Sequence, residues 1–249
     1  MNMHKAKSTR TTSAEAALRP LRQKLLVANK ILDLEKLATP FGHVSVRIPG
    51  TETFLITRSI APGTATMKDI LICDLEGNIL QGKYQDTYSE TVIHTGVYTT
   101  RPEVNSVIHF HSTHVIGLSM AGVTVIPANL QMTAVGLEPI AVYEKMVFIN
   151  KPEQGVEVAR LLGANKAVIL KGHGAVAVGP SIEDAVYSAL ILERSAMFQW
   201  MARSIAPLSP ISEEEKEELT RYHLSIQRGG HGSSREWSYY EWKLKELKK

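Results

Sequence analysis

The chain is nearly devoid of cysteine. Cys73 is the only one in 249 residues, so no disulfide can form within it. It follows the apolar run Ile70-Leu71-Ile72 and reads as a small core residue rather than a nucleophile, which fits a reducing compartment. Long hydrophobic runs are missing as well. No segment approaches the ~18 uncharged apolar residues that span a bilayer, and the first 25 residues lack the continuous apolar stretch of a secretory signal. The expectation is a soluble cytoplasmic protein with no membrane partner. Charge of one sign is not in excess either: 28 basic residues face 25 acidic ones, and a net +3 is too balanced to point to a nucleic-acid partner. Neither G-x-G-x-x-G nor G-x-x-x-x-G-K-S/T occurs, which argues against kinase, ATPase and dinucleotide-binding readings. No repeat at solenoid periods is visible.

What the chain does have is apolar sequence, 44% of its residues, enough to bury a real core in one domain with decorated ends. Residues 1–12 are polar and basic and are expected to be flexible, residues 13–206 form the body, and residues 207–249 form a helical extension carrying Trp237, Tyr239, Tyr240 and Trp242. Helical spacing runs from Ser13 to Leu37 with Pro20 as a kink or break. From His43 the pattern changes to short stretches, Val44 to Ile48, Phe54 to Thr57 and Ile70 to Cys73, then a turn at Asp74 to Asn78 before Ile79-Leu80. These predict an antiparallel meander. Ser89 is expected to cap a helix reaching Thr100, and Pro102 ends it ahead of a strand around Val107 to His111. Further helices are expected over Thr113 to Ala121, Pro152 to Leu162, Ser181 to Ala202 and from Ser212. Val123 to Pro127, Ile140 to Tyr143 and Ala167 to Leu170 read as extended, and Gly229 to Ser234 as a flexible loop. With no regular βαβ alternation, the pattern favours an α/β sandwich with a largely antiparallel sheet over a Rossmann fold.

The most informative segment is Val107-Ile108-His109-Phe110-His111. Alternate residues of a strand face the same way, so His109 and His111 can present two imidazoles side by side. His173 stands between two glycines in Lys171-Gly172-His173-Gly174, a setting in which the backbone can approach closely and the ring can point into a cleft. Glu90 and His94, at i and i+4, put a carboxylate and an imidazole on one helix face, a spacing that suits a ligand pair or a surface pair. Three neutral imidazoles with a carboxylate nearby suit a borderline divalent ion such as Zn²⁺, with a position left open for a substrate oxygen.

Four motifs then carry a resemblance. Gly42-His43-Val44-Ser45-Val46-Arg47, Ser89-Glu90 with His94 beyond it, Val107-Ile108-His109-Phe110-His111-Ser112, and Lys171-Gly172-His173-Gly174 are together similar to the class II aldolase/adducin family, from about Phe41 to Trp200. The resemblance implies an α/β class II aldolase-like sandwich, its central, mainly antiparallel β-sheet flanked by helices. It implies that His109, His111 and His173 bind one divalent metal ion per subunit, zinc first, with Mn, Co or Fe as alternatives. Glu90 is then the acid/base group, able to occupy the metal's fourth position when substrate is absent. A homotetramer with active sites at subunit interfaces is also implied. The chemistry such a site offers is stabilisation of an enediolate-like charge, common to aldol cleavage, epimerisation and decarboxylation.

Departures from the family's sugar-phosphate pattern narrow the substrate. Phosphate-binding members carry Gly-Asn where this chain has Gly42-His43, Thr-Gly where it has Thr57-Arg58, and Ser-Ser where it has Tyr88-Ser89. Arg58 either pairs with a substrate carboxylate through two parallel hydrogen bonds or forms a structural ion pair. Thr57, His43, Ser89 and Tyr239 complete the candidate substrate-binding set, with Tyr239 reaching a site, in its own or a neighbouring subunit, or simply packing with the tail. The stretch from Phe54 to Pro62 and the aromatic tail resemble a subgroup lacking phosphate recognition, which includes decarboxylases of hydroxylated pyridine and phthalate carboxylates. The expectation is a metal-dependent carbon–carbon lyase that decarboxylates a hydroxylated aromatic or related carboxylic acid, with a small-molecule carboxylate as its partner. The alternatives are an aldolase for an unphosphorylated keto acid or sugar, and a non-catalytic adducin-like binding module.

Overall fold

Short runs with apolar residues at alternate positions build an eight-stranded sheet in the computed structural model, which describes residues 3–226, 231–247 and 249. The strands are β1 (His43–Arg47), β2 (Thr53–Thr57), β3 (Ile70–Asp74), β4 (Ile79–Gln81), β5 (Ser106–Phe110), β6 (Val142–Tyr143), β7 (Ala167–Leu170) and β8 (Gly174–Gly179). Their spatial order is β4-β3-β2-β1-β5-β8-β7-β6, and every pairing is antiparallel except β6 with β7. The helices are α1 (Met3–Leu34), α2 (Thr91–Thr100), α3 (Thr113–Met120), α4 (Pro152–Leu162), α5 (Ile182–Arg203), α6 (Glu213–Ile226) and α7 (His231–Glu246). The expected α/β sandwich with a mainly antiparallel sheet is the fold that forms.

The period of two sorts the strand residues between two apolar layers. Val44, Ile108, Phe110, Ile169 and Ala175 pack with residues of α1, α3, α5 and α7, whereas Val107, Val168, Leu170 and Val176 pack with residues of α2 and α4. His43, Ser45 and His109 therefore stand on the side that α2 covers. Helix α2 is itself held by α4 through two glycines. A Cβ on Gly155 would lie 2.0 Å from the Val92 carbonyl oxygen, so the two backbones touch with no room for a side chain.

Several local expectations are corrected. Helix α1 begins at Met3 rather than Ser13 and passes through Pro20 as one helix, so residues 3–12, expected as a flexible arm, are helical. Leu25, Ala28, Ile31 and Leu32 anchor its later turns in the core, and an anchored helix extends at the cost of fixing one residue per added hydrogen bond. Glu90, not Ser89, occupies the N-cap position of α2. Val123 to Pro127 joins no strand: the Gln199 side chain takes the Ile126 N–H at 2.9 Å and the Thr124 carbonyl at 2.6 Å, the groups a neighbouring strand would have paired. The sequence pattern does not predict strand β8, since glycines at both of its ends and two alanines give it a weak strand signal. His231 to Ser234, expected as loop, open α7, while Gly229 and Gly230 lie outside the described residues. Trp237 and Tyr240 of α7 are buried in the same layer as α5. No described helix is long and apolar enough to cross a membrane.

Substituting Gly155→Ala should force α2 and α4 apart and cost about 1–3 kcal/mol, the usual penalty for overpacking. Urea unfolding of the variant against the parent measures it; an unchanged midpoint would show that the helix contact is slack.

Candidate metal centre

The site is assembled by sheet register and two turns. His43 and His109 are directly opposed residues of β1 and β5, with ring centroids 5.1 Å apart. His111 lies just beyond the end of β5, where its backbone N–H donates to the Leu37 carbonyl at 2.8 Å and keeps the chain extended. His173 sits in the β7–β8 hairpin, where Gly172 takes φ 62°. Gly174 allows β8 to start against β5, since a Cβ there would lie 2.3 Å from the Phe110 carbonyl oxygen. Glu90 makes no side-chain cap bond to α2 and turns instead toward the histidines.

The four side chains converge closely. Glu90 Oε1 is 3.3 Å from His173 Nε2, Glu90 Oε2 is 3.5 Å from His109 Nε2, and the Nε2 atoms of His109 and His111 are 3.0 Å apart. One donor atom from each lies within 4.8 Å of the others. Tetrahedral zinc, with bonds of about 2.0–2.1 Å, holds its ligand atoms roughly 3.3 Å apart, so these spacings are those of a ligand set. Two further observations fit a cation. Glu90 Oε1 is buried without a hydrogen bond. His109 Nδ1 must donate to the Ala175 carbonyl, 3.1 Å away, which turns the Nε2 lone pair toward the cluster.

Electrostatics point the same way. Burial, reinforced by the neighbouring imidazoles, holds His43 and His109 well below the usual histidine range. Burial together with His173 brings His111 down to about 4, and burial lowers His173 too. The rings are neutral and able to act as lone-pair donors. Glu90 is pushed up to about 7 by burial, against the pull of a hydrogen bond from the Ile149 backbone. A buried carboxylate with so little compensation is a group that a cation would stabilise. At the mouth stand two exposed aromatic rings, Phe41 6.1 Å from His111 and Phe148 6.5 Å from His173.

The other sequence candidates are placed unevenly. His43 is buried in the site with Tyr88 stacked on it at 4.4 Å. Thr57 stands behind that pair, its hydroxyl 2.8 Å from the Tyr88 hydroxyl. Arg58 donates through Nε to Asp69 at 2.8 Å and lies over the Tyr84 ring at 4.4 Å. Ser89 is exposed beside Glu90. Tyr239, on α7, meets Tyr240 edge-on and Trp242 at a tilt, and the structure does not bring it to the cluster within one chain. His94 is not among the converging four: it is buried behind His43, with Ser45 and Tyr98 as neighbours. Neither residue is among the sequence candidates, although Ser45 follows His43 by two on one strand face and Tyr98 follows His94 by four on one helix face.

A sequence model described as Class II Aldolase and Adducin N-terminal domain matches residues 23–200. The chain belongs to this family. It is 29% identical over 189 residues to the 3,4-dihydroxyphthalate decarboxylase of Arthrobacter keyseri, covering 70% of this chain and 75% of that protein. It is 26% identical over 210 residues to the L-ribulose-5-phosphate 4-epimerase UlaF of Salmonella typhi, covering 79% and 91%. Among solved structures, the L-fuculose 1-phosphate aldolase from Glaciozyma antarctica PI12 superposes with a TM-score of 0.80 at 25% identity, covering 93% of this chain and 92% of that one. Class II aldolase relatives thus include decarboxylases, epimerases and aldolases, and the Glu90, His109, His111 and His173 group is one able to bind a divalent metal.

Zinc titrated into chelator-treated protein should raise the melting temperature, by the equivalent of about 2.7 kcal/mol at a free concentration one hundred times Kd. His109→Ala should abolish the shift in the same thermal scan, and a shift that survives would place the ion elsewhere. Asp69 supplies a pH test. Burial pulls its pKa upward, but hydrogen bonds from Thr66 and Arg58 outweigh this and hold it below the usual carboxylate range. Its contribution is therefore present above the unfolded value of about 3.9 and is lost as pH falls through the folded one. Asp69→Asn should cost about 1–3 kcal/mol at pH 7, and the difference from the parent should close as urea titrations are carried below pH 4.

Proposed function

We propose that this protein is a divalent-metal-dependent carbon–carbon lyase that decarboxylates a hydroxylated aromatic or related carboxylic acid. The observation that carries the reading is the buried Glu90 carboxyl, one oxygen of it without a hydrogen bond, set against three neutral imidazoles. The similarity to a dihydroxyphthalate decarboxylase supports the choice of substrate class. So does the state of two groups at positions where sugar-phosphate enzymes of the family differ. The Thr57 hydroxyl is engaged by Tyr88 and the Arg58 Nε by Asp69, and the bulky ring of Tyr88 fills space beside His43.

His109, His111 and His173 would hold the ion, with Glu90 as a fourth donor. Zinc is the first choice and Mn, Co or Fe the alternatives, because geometry and availability select the metal more than ligand type does. When bound, a divalent cation supplies Lewis-acid charge toward a carboxylate and its neighbouring hydroxyl. Glu90 is the acid/base group. In decarboxylation the carbon–carboxylate bond breaks, its electron pair stays on the ring carbon as CO₂ leaves, and Glu90 delivers the proton that takes the vacated position. Phe41 and Phe148 flank the approach and favour a flat apolar ring. Arg58, through its remaining guanidinium nitrogens, and Ser89 are the outer candidates for a second substrate carboxylate. Tyr239 belongs to the site only if a neighbouring subunit supplies it, as in a homotetramer with interfacial active sites. A cytoplasmic location is part of the same reading.

Glu90→Gln should retain zinc in elemental analysis yet lose turnover by at least ~10²-fold, the ordinary worth of a positioned proton donor. The assay is release of CO₂ from hydroxylated phthalate and pyridine carboxylates. A pyruvate or aldehyde product in its place would identify an aldolase, and undiminished turnover by Glu90→Gln would remove the acid/base role.

A further inference from the structure

A buried polar chain leads away from the histidine cluster. His43 Nδ1 lies 2.6 Å from His94 Nε2, His94 Nδ1 lies 2.6 Å from Ser45 Oγ, and Ser45 Oγ lies 2.7 Å from the Tyr98 hydroxyl. None of the four residues is more than 2% exposed. At the near end, His43 Nε2 is buried without a hydrogen-bond partner and faces Glu90 Oε2 at 4.0 Å. That is too long for a direct hydrogen bond, so the His43 Nε2 position is left without a partner beside Glu90.

Only one direction of donation along this chain places every proton. A buried phenol O–H requires an acceptor. The one hydrogen-bond partner of the Tyr98 hydroxyl among the described residues is Ser45, so Tyr98 donates to Ser45. Ser45 has a single proton and passes its hydrogen bond on to His94 Nδ1. A neutral imidazole that accepts at Nδ1 carries its proton on Nε2, so His94 donates to His43 Nδ1. By the same rule His43 carries its proton on Nε2. The reverse polarity would leave the Tyr98 proton without an acceptor.

We propose that His43 is a fixed N–H donor in the site, held in one tautomer by Tyr98, Ser45 and His94, and that it stays outside the metal's ligand set and hydrogen-bonds a substrate oxygen lying beside Glu90. The tautomer and the exclusion from the ligand set rest on geometry alone, while the assignment of that oxygen to a carboxylate rests on the decarboxylase reading. An N–H donor beside Glu90 offsets the repulsion between two carboxylates and orients the substrate's. Tyr98, Ser45 and His94 are positioning residues. The signal for their role is the His43 tautomer, which follows the direction of donation along the chain.

The test uses the full-length, zinc-loaded, ¹⁵N-labelled protein. Long-range ¹H–¹⁵N correlation spectra should show His43 and His94 protonated at Nε2 and bare at Nδ1. Tyr98→Phe removes the proton that sets the direction, and should give mixed tautomers at both rings. A parent protein with His43 protonated at Nδ1 overturns the proposal. A second readout is metal binding. His43→Gln keeps an N–H donor and should change zinc affinity by less than ~10-fold, the lower edge of what the loss of a ligand's outer partner costs, and a larger loss would make His43 a ligand. Both measurements are made without substrate, so a failure of the decarboxylase reading leaves them standing. Finally, salicylate, a hydroxylated aromatic carboxylate, should move the His43 Nε2 proton resonance downfield; an unmoved resonance overturns the substrate contact.

Discussion

The constraint on which the rest of the structure depends is the burial of one carboxyl among neutral rings. Glu90 sits at the start of α2 with one oxygen unpaired, and the burial that pushes it up to about 7 also keeps His109, His111 and His173 uncharged. An unsatisfied buried polar group costs ~1–3 kcal/mol, more when it is charged, and nothing in the surrounding apolar layers returns that cost. The arrangement makes physical sense as a preorganised donor set. Its packing is accordingly stiff: Gly96 and Gly155 bring α2 and α4 into backbone contact behind Glu90, and the sheet supplies the opposite wall.

Register does the remaining work. Because β1 and β5 pair antiparallel with His43 opposite His109, a slip of one residue on either strand would turn an imidazole into the apolar layer under α1 and α5. The same register sets Ser45 beneath His94 and brings Arg47 over the Tyr98 ring at 4.7 Å, so the inner faces of β1 and α2 form one polar seam in an otherwise apolar interface. A seam of this kind is stable only when each donor finds an acceptor. Full satisfaction of its inner members leaves the two unpaired groups, His43 Nε2 and Glu90 Oε1, where a ligand would meet them.

Much of this was legible in the residues, and the gaps have physical causes. The meander from His43 to Gln81, the helices at Pro152 and Ser181, and the histidine strand follow from strong local signals: alternation, an N1 proline and a serine cap. Strand β8 carries little local signal because it is held by its neighbours rather than by its own alanines and glycines. The local signal for helix α1 stops short of its observed start because Pro20 and a polar start outweigh, locally, an anchor that lies in the core. The sequence leaves Arg58 open between two roles, and the structure shows its Nε paired with Asp69, a partner eleven positions away that no spacing rule would single out.

The sequence by itself determined the donor types and the fold class: three imidazoles and a carboxylate in the family's motifs, a mainly antiparallel sandwich, and the absence of Gly-rich phosphate-loop motifs. Residue type and short-range periodicity decide these, and both are written along the chain. Tertiary structure alone decided where each histidine of the set is placed. His94 is four residues from Glu90 and His43 is far from it, yet His94 lies behind His43, and neither belongs to the converging four. Which nitrogen of a ring bears its proton depends on the group facing the other nitrogen, and those groups come from a strand and a helix about fifty residues apart, joined only when the sheet closes against α2.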